Sequence, residues 1–218
     1  APDTAPFGDL IVMAVKPQQM REAAYSILPS LEKDQVVLSI AAGIRLPDLS
    51  RWLGGHARLI RCMPNTPALI GAGMTAAYAM PAVSAGERSG AERVLATMGK
   101  SIWVDSESLL DPVTAVSGSG PAYVFYFIEA LEQAARELGL APDAARTLAL
   151  ETFLGAAKLA AGSSEDPATL RARVTSKGGT TEAALGAMEA SGVKAAIIRA
   201  ARAANARSIE LGEALGKD

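Results

Sequence analysis

The sequence predicts an α/β domain built on a parallel sheet, followed from about Glu107 by an all-α domain. Three observations lead there. In the first half, short apolar runs alternate with helix-length amphipathic segments, the pattern of repeated strand–helix–strand units. Half the residues are hydrophobic but only 5% are aromatic, and Ala and Gly dominate the second half, which suits close-packed helices rather than a β-sandwich. At 218 residues the chain can bury a sizeable core in one large domain or two small ones.

In order along the chain, the run from Leu10 to Val15 is apolar on both faces and reads as a buried strand. Pro17 suits a first helical turn and opens a helix through about Leu31, with Met20, Ala24, Ile27 and Leu28 at helical spacing. Val36-Val37-Leu38-Ser39-Ile40 is the next strand, a short helix runs from Leu46 to Leu53, and Leu59-Ile60-Arg61-Cys62-Met63 is the third strand. Met74 to Tyr78 and Ile102 to Val104 are later strands, with a helix from about Ser84 to Met98 between them.

Beyond Leu109 the pattern is helical. Pro121 stands in the first turn of a long helix that runs to Leu138 and is closed by Gly139. Its segment Tyr123-Val124-Phe125-Tyr126-Phe127-Ile128 is apolar all round, so burial on every side is expected, more naturally by a partner subunit than by so small a domain. Further helices run from Pro142 to about Ala161, Asp166 to Val174, Thr180 to Ala190 and Val193 to about Leu211. In the last, Ala196, Ala200 and Ala204 share one face and permit close helix contact.

Composition narrows the function. A net charge of −2 gives no electrostatic case for nucleic acid or an anionic membrane. No segment reads as a membrane helix, and no signal peptide is visible. Cys62, the single cysteine, cannot form an internal disulfide; it fits a reducing, cytoplasmic setting and reads as a buried inert thiol. His56, the single histidine, follows Gly54-Gly55 and reads as a solvated loop residue. Without a Cys/His cluster no zinc site is expected.

Four segments carry candidate chemistry. In Thr175-Ser176-Lys177-Gly178-Gly179-Thr180-Thr181-Glu182, two glycines and two threonines stand at a helix start. Such a turn can be a simple cap, with Gly179 or Thr180 as N-cap and Glu182 complementing the helix dipole, or a nest that holds a carboxylate beside a hydroxyl. Ala14-Val15-Lys16-Pro17, Ser39-Ile40-Ala41-Ala42-Gly43 and Arg61-Cys62-Met63-Pro64-Asn65-Thr66-Pro67 each follow a predicted strand. Ligands of open α/β sheets lie at the carboxyl ends of strands, so three special turns on one edge suggest a cofactor crevice. No Gly-x-Gly-x-x-Gly occurs, and Gly118-x-Gly120 follows no clear strand.

These residues resemble the pyrroline-5-carboxylate reductase family. The stretch from Val174 to Leu185 followed by Met188-Glu189, Ser117-Gly118-Ser119-Gly120-Pro121-Ala122-Tyr123, Ala14-Val15-Lys16-Pro17 and Cys62-Met63-Pro64-Asn65-Thr66-Pro67 keep that family's order and spacing over essentially the whole chain. The resemblance implies a Rossmann-type N-terminal domain (1–107) and an all-α dimerisation and substrate-binding domain (108–218). The family's first βαβ segment, with its pyrophosphate turn and ribose-reading residues, is missing from the sequence. A chain starting at Ala1 would leave the Leu10 to Val15 strand as an apolar edge prone to aggregation, so a fragment of a longer chain is expected.

The resemblance further implies reduction of 1-pyrroline-5-carboxylate to L-proline by NADPH or NADH, the last step of proline biosynthesis. Such a site sets the nicotinamide face about 3–3.5 Å from the imine carbon, binds the carboxylate and supplies a hydrogen bond to the ring nitrogen. By resemblance, amides around Gly178, Gly179 and Thr180 take the carboxylate, Ser176 lies at the rim and the Thr181 hydroxyl faces the ring nitrogen. Glu107 matches a family position near the substrate; read alone, it is a solvated linker carboxylate. Ala14, Val15, Lys16, Pro17, Ala41, Ala42 and Asn65 carry over as cofactor contacts, and no metal is implied. Lys177 stands where the family often has proline, which bears on loop rigidity only. Family members are homodimers, often assembled into decamers as pentamers of dimers, with the substrate loop against the neighbour's cofactor domain. The alternatives are a related imine or 3-hydroxy-acid oxidoreductase, or a non-catalytic helical dimerisation module if the chain starts at Ala1.

Overall fold

The computed structural model describes residues 7–217. The first six residues of the segment assigned to the cofactor domain, and Asp218, lie outside them. Contacts divide the described residues into two units, 7–121 with 201–217, and 122–200.

In the first unit, strands β1 (Leu10–Met13), β2 (Val36–Ser39), β3 (Leu59–Met63), β4 (Gly73–Ala79) and β5 (Gly99–Trp103) form one sheet in that order. The first three are parallel, with Met13 opposite Ser39 and Ser39 opposite Arg61. Their crossovers are helices α1 (Met20–Ile27) and α2 (Leu46–Trp52). Pro17 opens a 3-10 turn, Pro17–Gln19, that leads into α1.

The sheet is not parallel throughout, contrary to the expectation from strand–helix alternation. Strand β4 runs antiparallel to β3, and β5 pairs parallel with β4. The physical reason lies in the connections. Parallel neighbours need a crossover of a dozen or more residues, usually with a helix. Between β3 and β4 there is only a 3-10 turn, Thr66–Ile70, whereas β4 and β5 are joined through α3 (Ala85–Leu95).

Alternation along β2 sorts the core onto both faces of the sheet. Val37 packs with Met20, Leu49 and Trp52 under α1 and α2, while Val36 and Leu38 pack with Ile60, Ala91 and Leu95 near α3. Each such Leu or Ile, fully buried, contributes about 1.5–3 kcal/mol. Helix α3 begins with a capping box. Glu87 N–H donates to Ser84 Oγ at 3.3 Å, and Ser84 N–H donates to Glu87 Oε2 at 2.6 Å. The Ser84 hydroxyl, which donates to Glu87 Oε2 at 2.7 Å, and then the Ser84 N–H hold the Glu87 carboxyl below its usual range, with Arg58 adding a smaller pull.

Cys62 is buried within the α3-side core, and loss of hydration pushes its thiol up to about 12. At pH 8 only on the order of one thiol in ten thousand is then thiolate. Iodoacetamide at pH 8 is therefore expected to leave the folded protein unmodified and to label it after denaturation, as read by intact mass. His56 is not a solvated loop residue, as its setting after two glycines suggested. It is half-buried, its Nε2 lying 2.8 Å from the Gln35 carbonyl oxygen at the start of β2.

After β5 come a short helix α4 (Leu110–Val113) and a π turn, Thr114–Gly118. Helices α5 (Gly120–Glu137), α6 (Pro142–Gly162), α7 (Pro167–Arg173), α8 (Thr180–Ala190) and α9 (Val193–Leu215) complete the chain. Of the hydrophobic side chains in the second unit, only Ala145 and Ala149 are buried among the described residues. Phe127 and Phe153 meet at 6.3 Å between ring centroids. Burial of α5 on every side does not occur within one chain, where Phe125 is 64% and Tyr126 73% exposed. The later turns of α9 belong to the first unit, where the Ser208 hydroxyl donates to Asp111 Oδ1 at 2.7 Å and Leu215 packs against the core under α1 and α2.

Candidate functional site

The carboxyl ends of β1, β2 and β3 lie side by side because these strands are parallel neighbours. Ala14, Val15 and Lys16 follow β1 and are exposed; Pro17 is half-buried. After β2, Ala41 is buried and its N–H donates to the Ser39 hydroxyl at 3.3 Å, while Ala42 is exposed. The edge thus presents small side chains, open backbone and one cation.

Asn65 follows β3, and both ends of its amide are engaged within the chain. Its Oδ1 accepts the Met74 N–H at 2.9 Å, closing the β3–β4 connection, and its Nδ2 donates to Ser117 Oγ at 3.3 Å in the π turn. Gly118 in that turn lies so close to Met63 that a Cβ would stand 2.7 Å from its Cε. The Ser117-Gly118-Ser119-Gly120-Pro121 segment is thereby fastened to the end of β3.

Glu107 stands in a 3-10 turn, Glu107–Leu109, after β5. Its Oε1 accepts the Leu46 N–H at 2.7 Å and the Arg61 Nη1–H at 3.0 Å. The Arg61 side chain is only 4% exposed and that of Glu107 18%. Helix α2 has no side-chain cap from its own N-cap residue, Arg45, so Glu107 performs that capping from a distant part of the chain. It is not a solvated linker carboxylate. Its oxygen joins β3, the start of α2 and the segment after β5.

Ser176, Gly178, Gly179, Thr180 and Thr181 come together in the second unit, in one turn before α8. Gly179 is the N-cap, in extended conformation. Gly178 has φ +74°, in the left-handed region, and a Cβ on Gly179 would stand 2.5 Å from Ser176 Oγ. Glycine at 178 is thus required by its backbone angle, whereas a side chain at 179 would force the Ser176 hydroxyl to turn away. The Gly179 N–H donates to the Ser176 carbonyl at 3.0 Å, and the Gly178 N–H donates to Glu182 Oε2 at 2.7 Å. The N–H groups of Thr180 and Thr181, the first two residues of α8, have no acceptor inside the helix. Together with the helix dipole they make the N-terminus a receptor for a carboxylate. Thr181 is half-buried there.

Comparison with known proteins gives this arrangement its family. Over 209 residues the chain is 46% identical to the pyrroline-5-carboxylate reductase of Pseudomonas aeruginosa, covering 96% of this chain and 77% of the relative. The chain belongs to the pyrroline-5-carboxylate reductase family. Residues 107–211 match the family model for pyrroline-5-carboxylate reductase dimerisation. The solved pyrroline-5-carboxylate reductase of Coxiella burnetii has 39% identity and a TM-score of 0.89, with 95% of this chain and 77% of that chain covered. The Plasmodium falciparum pyrroline carboxylate reductase, solved with NADP bound, has 29% identity and a TM-score of 0.87, with 95% and 78% covered.

In this member of the family, three roles escaped sequence reasoning. Arg61 is a buried cation on β3, and nothing in an apolar run reveals which carboxylate reaches it. Ser117 holds Asn65 across 52 positions, and no local pattern encodes so distant a bond. Glu182 had a local signal, standing four residues after Gly178, but its spacing reads as an ordinary dipole partner.

Proposed function

We infer that the chain reduces 1-pyrroline-5-carboxylate to L-proline with NADPH or NADH, in the cytoplasm. The observation that carries the reading is the turn before α8, where Gly178 and Gly179 set the backbone and leave the Thr180 and Thr181 amides at the helix start for a carboxylate. The substrate class must carry that carboxylate next to a reducible C=N bond whose nitrogen reaches the Thr181 hydroxyl.

The residues at the strand ends fit a dinucleotide. Exposed Ala14, Val15 and Ala42 allow a flat ring to approach the backbone closely, and Lys16 offers a cation for a phosphate. Ala14, Val15, Lys16, Pro17, Ala41 and Ala42 would hold the cofactor, with Asn65 shaping the crevice through its bonds to Met74 and Ser117. When bound, the nicotinamide supplies a hydride.

The chain's own residues have three tasks. Thr180 and Thr181 amides bind the substrate carboxylate, with Ser176 at the rim. The Thr181 hydroxyl hydrogen-bonds the ring nitrogen and orients the C=N bond. An unactivated alcohol is too weak an acid to protonate the ring, so the proton is already on the iminium or arrives through water. Glu107 acts by bracing β3 and α2.

Domain roles follow the same division. The part up to Glu107 holds the cofactor, and the helical part from Ser108 binds substrate and dimerises. Exposed Phe125 and Tyr126 on α5 supply apolar surface for a second copy. The homodimer is the minimal assembly and a pentamer of dimers its larger form, two states that sedimentation velocity separates. Among the described residues no helix is long and apolar enough to cross a membrane.

An NADPH-oxidation assay tests the reaction. Turnover with 1-pyrroline-5-carboxylate is expected to exceed that with 3-hydroxy acids, assayed in the oxidative direction with NADP, at least a hundredfold, because a 3-hydroxy acid lacks the ring C=N nitrogen that the site places beside the carboxylate. Equal rates would discard the imine assignment.

A further inference from the structure

We infer that Glu182 is the positioning residue of the substrate turn. By accepting the Gly178 N–H, its carboxylate holds the turn in the shape that leaves the Thr180 and Thr181 amides open. The inference rests on the assignment of the α8 N-terminus to the substrate carboxylate.

A turn with two adjacent glycines has more backbone freedom than any other, and something must restrict it. Hydrogen bonds on both sides of it do so here. The Thr175 hydroxyl donates to the Arg171 carbonyl at 2.6 Å, and the Gly179 N–H donates to the Ser176 carbonyl at 3.0 Å. Both act within the segment that leads into the turn. Two bonds tie the turn forward to the first turn of α8: the Ala183 N–H donates to the Gly179 carbonyl at 3.2 Å, and the Glu182 bond, at 2.7 Å, holds Gly178. The Glu182 bond is charge-assisted, and it satisfies the donor of the residue at φ +74°. Lys177 stands just before that glycine, so no proline ring stiffens the segment.

The same bond decides which donors remain. With Gly178 bound to Glu182 and Gly179 bound to Ser176, an incoming carboxylate meets the amides of the first α8 residues instead of the glycines. A competitor would behave in the opposite way. If substrate needed the Gly178 N–H, Glu182 would block it, and removing the side chain would tighten binding. The sign of the change in KM therefore separates the two.

The experiment is steady-state kinetics of Glu182→Ala and Glu182→Gln beside the unsubstituted enzyme. Glu182→Ala is expected to raise KM for 1-pyrroline-5-carboxylate about fivefold, the size of one exposed hydrogen bond, with kcat falling less than KM rises. Glu182→Gln keeps an acceptor oxygen and is expected to restore most of the lost affinity. An unchanged or lowered KM in Glu182→Ala, or failure of Gln to rescue, overturns the inference. Thr181→Ala in the same assay tells the two readings apart. Full turnover there would mean that the site assignment has failed. Impaired turnover there, with a normal KM in Glu182→Ala, would overturn the brace alone.

Discussion

Thr181→Ala is expected to lower turnover at least tenfold and to leave the dimer and the fold intact. Thr181 is the second residue of α8, where its hydroxyl is not the N-cap, since Gly179 holds that position. Alanine is the better helix former, so the substitution does not weaken α8. What is lost is the hydrogen bond to the ring nitrogen while charge changes there during reduction. Removing a donor from a preorganised oxyanion hole costs about 10²–10³ in kcat. A single neutral hydroxyl at a half-buried position is worth less, and tenfold corresponds to about 1.4 kcal/mol. KM should move little, because the Thr180 and Thr181 amides remain. Thr181→Ser keeps the hydroxyl and is expected to recover most of the rate. The measurement is kcat at saturating substrate and NADPH, with sedimentation to check the dimer; unchanged turnover would remove Thr181 from the mechanism.

Much of the fold was legible because it depends on local pattern. The third strand, Leu59–Met63, and helix Thr180–Ala190 have the bounds that their apolar runs and flanking residues indicate. The direction of β4 was not legible. An apolar run identifies a strand but not its partner, and only the short Pro64 to Ala72 connection, too short for a crossover, argues for antiparallel pairing. The site shows the same limit. Residue types at strand ends and at the Gly-Gly turn stand out in the sequence, whereas their hydrogen bonds join distant positions. Asn65 looks like a free amide until Met74 and Ser117 are seen to use both its ends. Glu107 looks solvated until Arg61 and Leu46 are brought to it by the sheet and by α2.

Glu107→Ala is accordingly expected to destabilise the protein by about 3 kcal/mol. The Arg61 side chain is 4% exposed, so removing Glu107 leaves its guanidinium buried without that partner. Breaking such a pair costs about 3–5 kcal/mol, and losing a helix cap about 1 more. Against this, Glu107 is 18% exposed, and water entering its place recovers part of the loss. A shifted urea midpoint with unchanged slope would report the effect. Glu107→Gln keeps an acceptor for the Leu46 N–H but not the charge, and should fall between the two. Combining Glu107→Gln with Arg61→Met removes the stranded charge and is expected to restore most of the stability, since a buried pair is often no better than a well-packed apolar replacement. The consequence reaches the cofactor edge. Arg61 precedes Cys62-Met63-Pro64-Asn65, and Leu46 closely follows Ala41 and Ala42, so loosening the brace should raise KM for NADPH before it affects the substrate turn. A Glu107→Gln enzyme with a normal unfolding midpoint but a raised KM for 1-pyrroline-5-carboxylate would instead make Glu107 a substrate ligand.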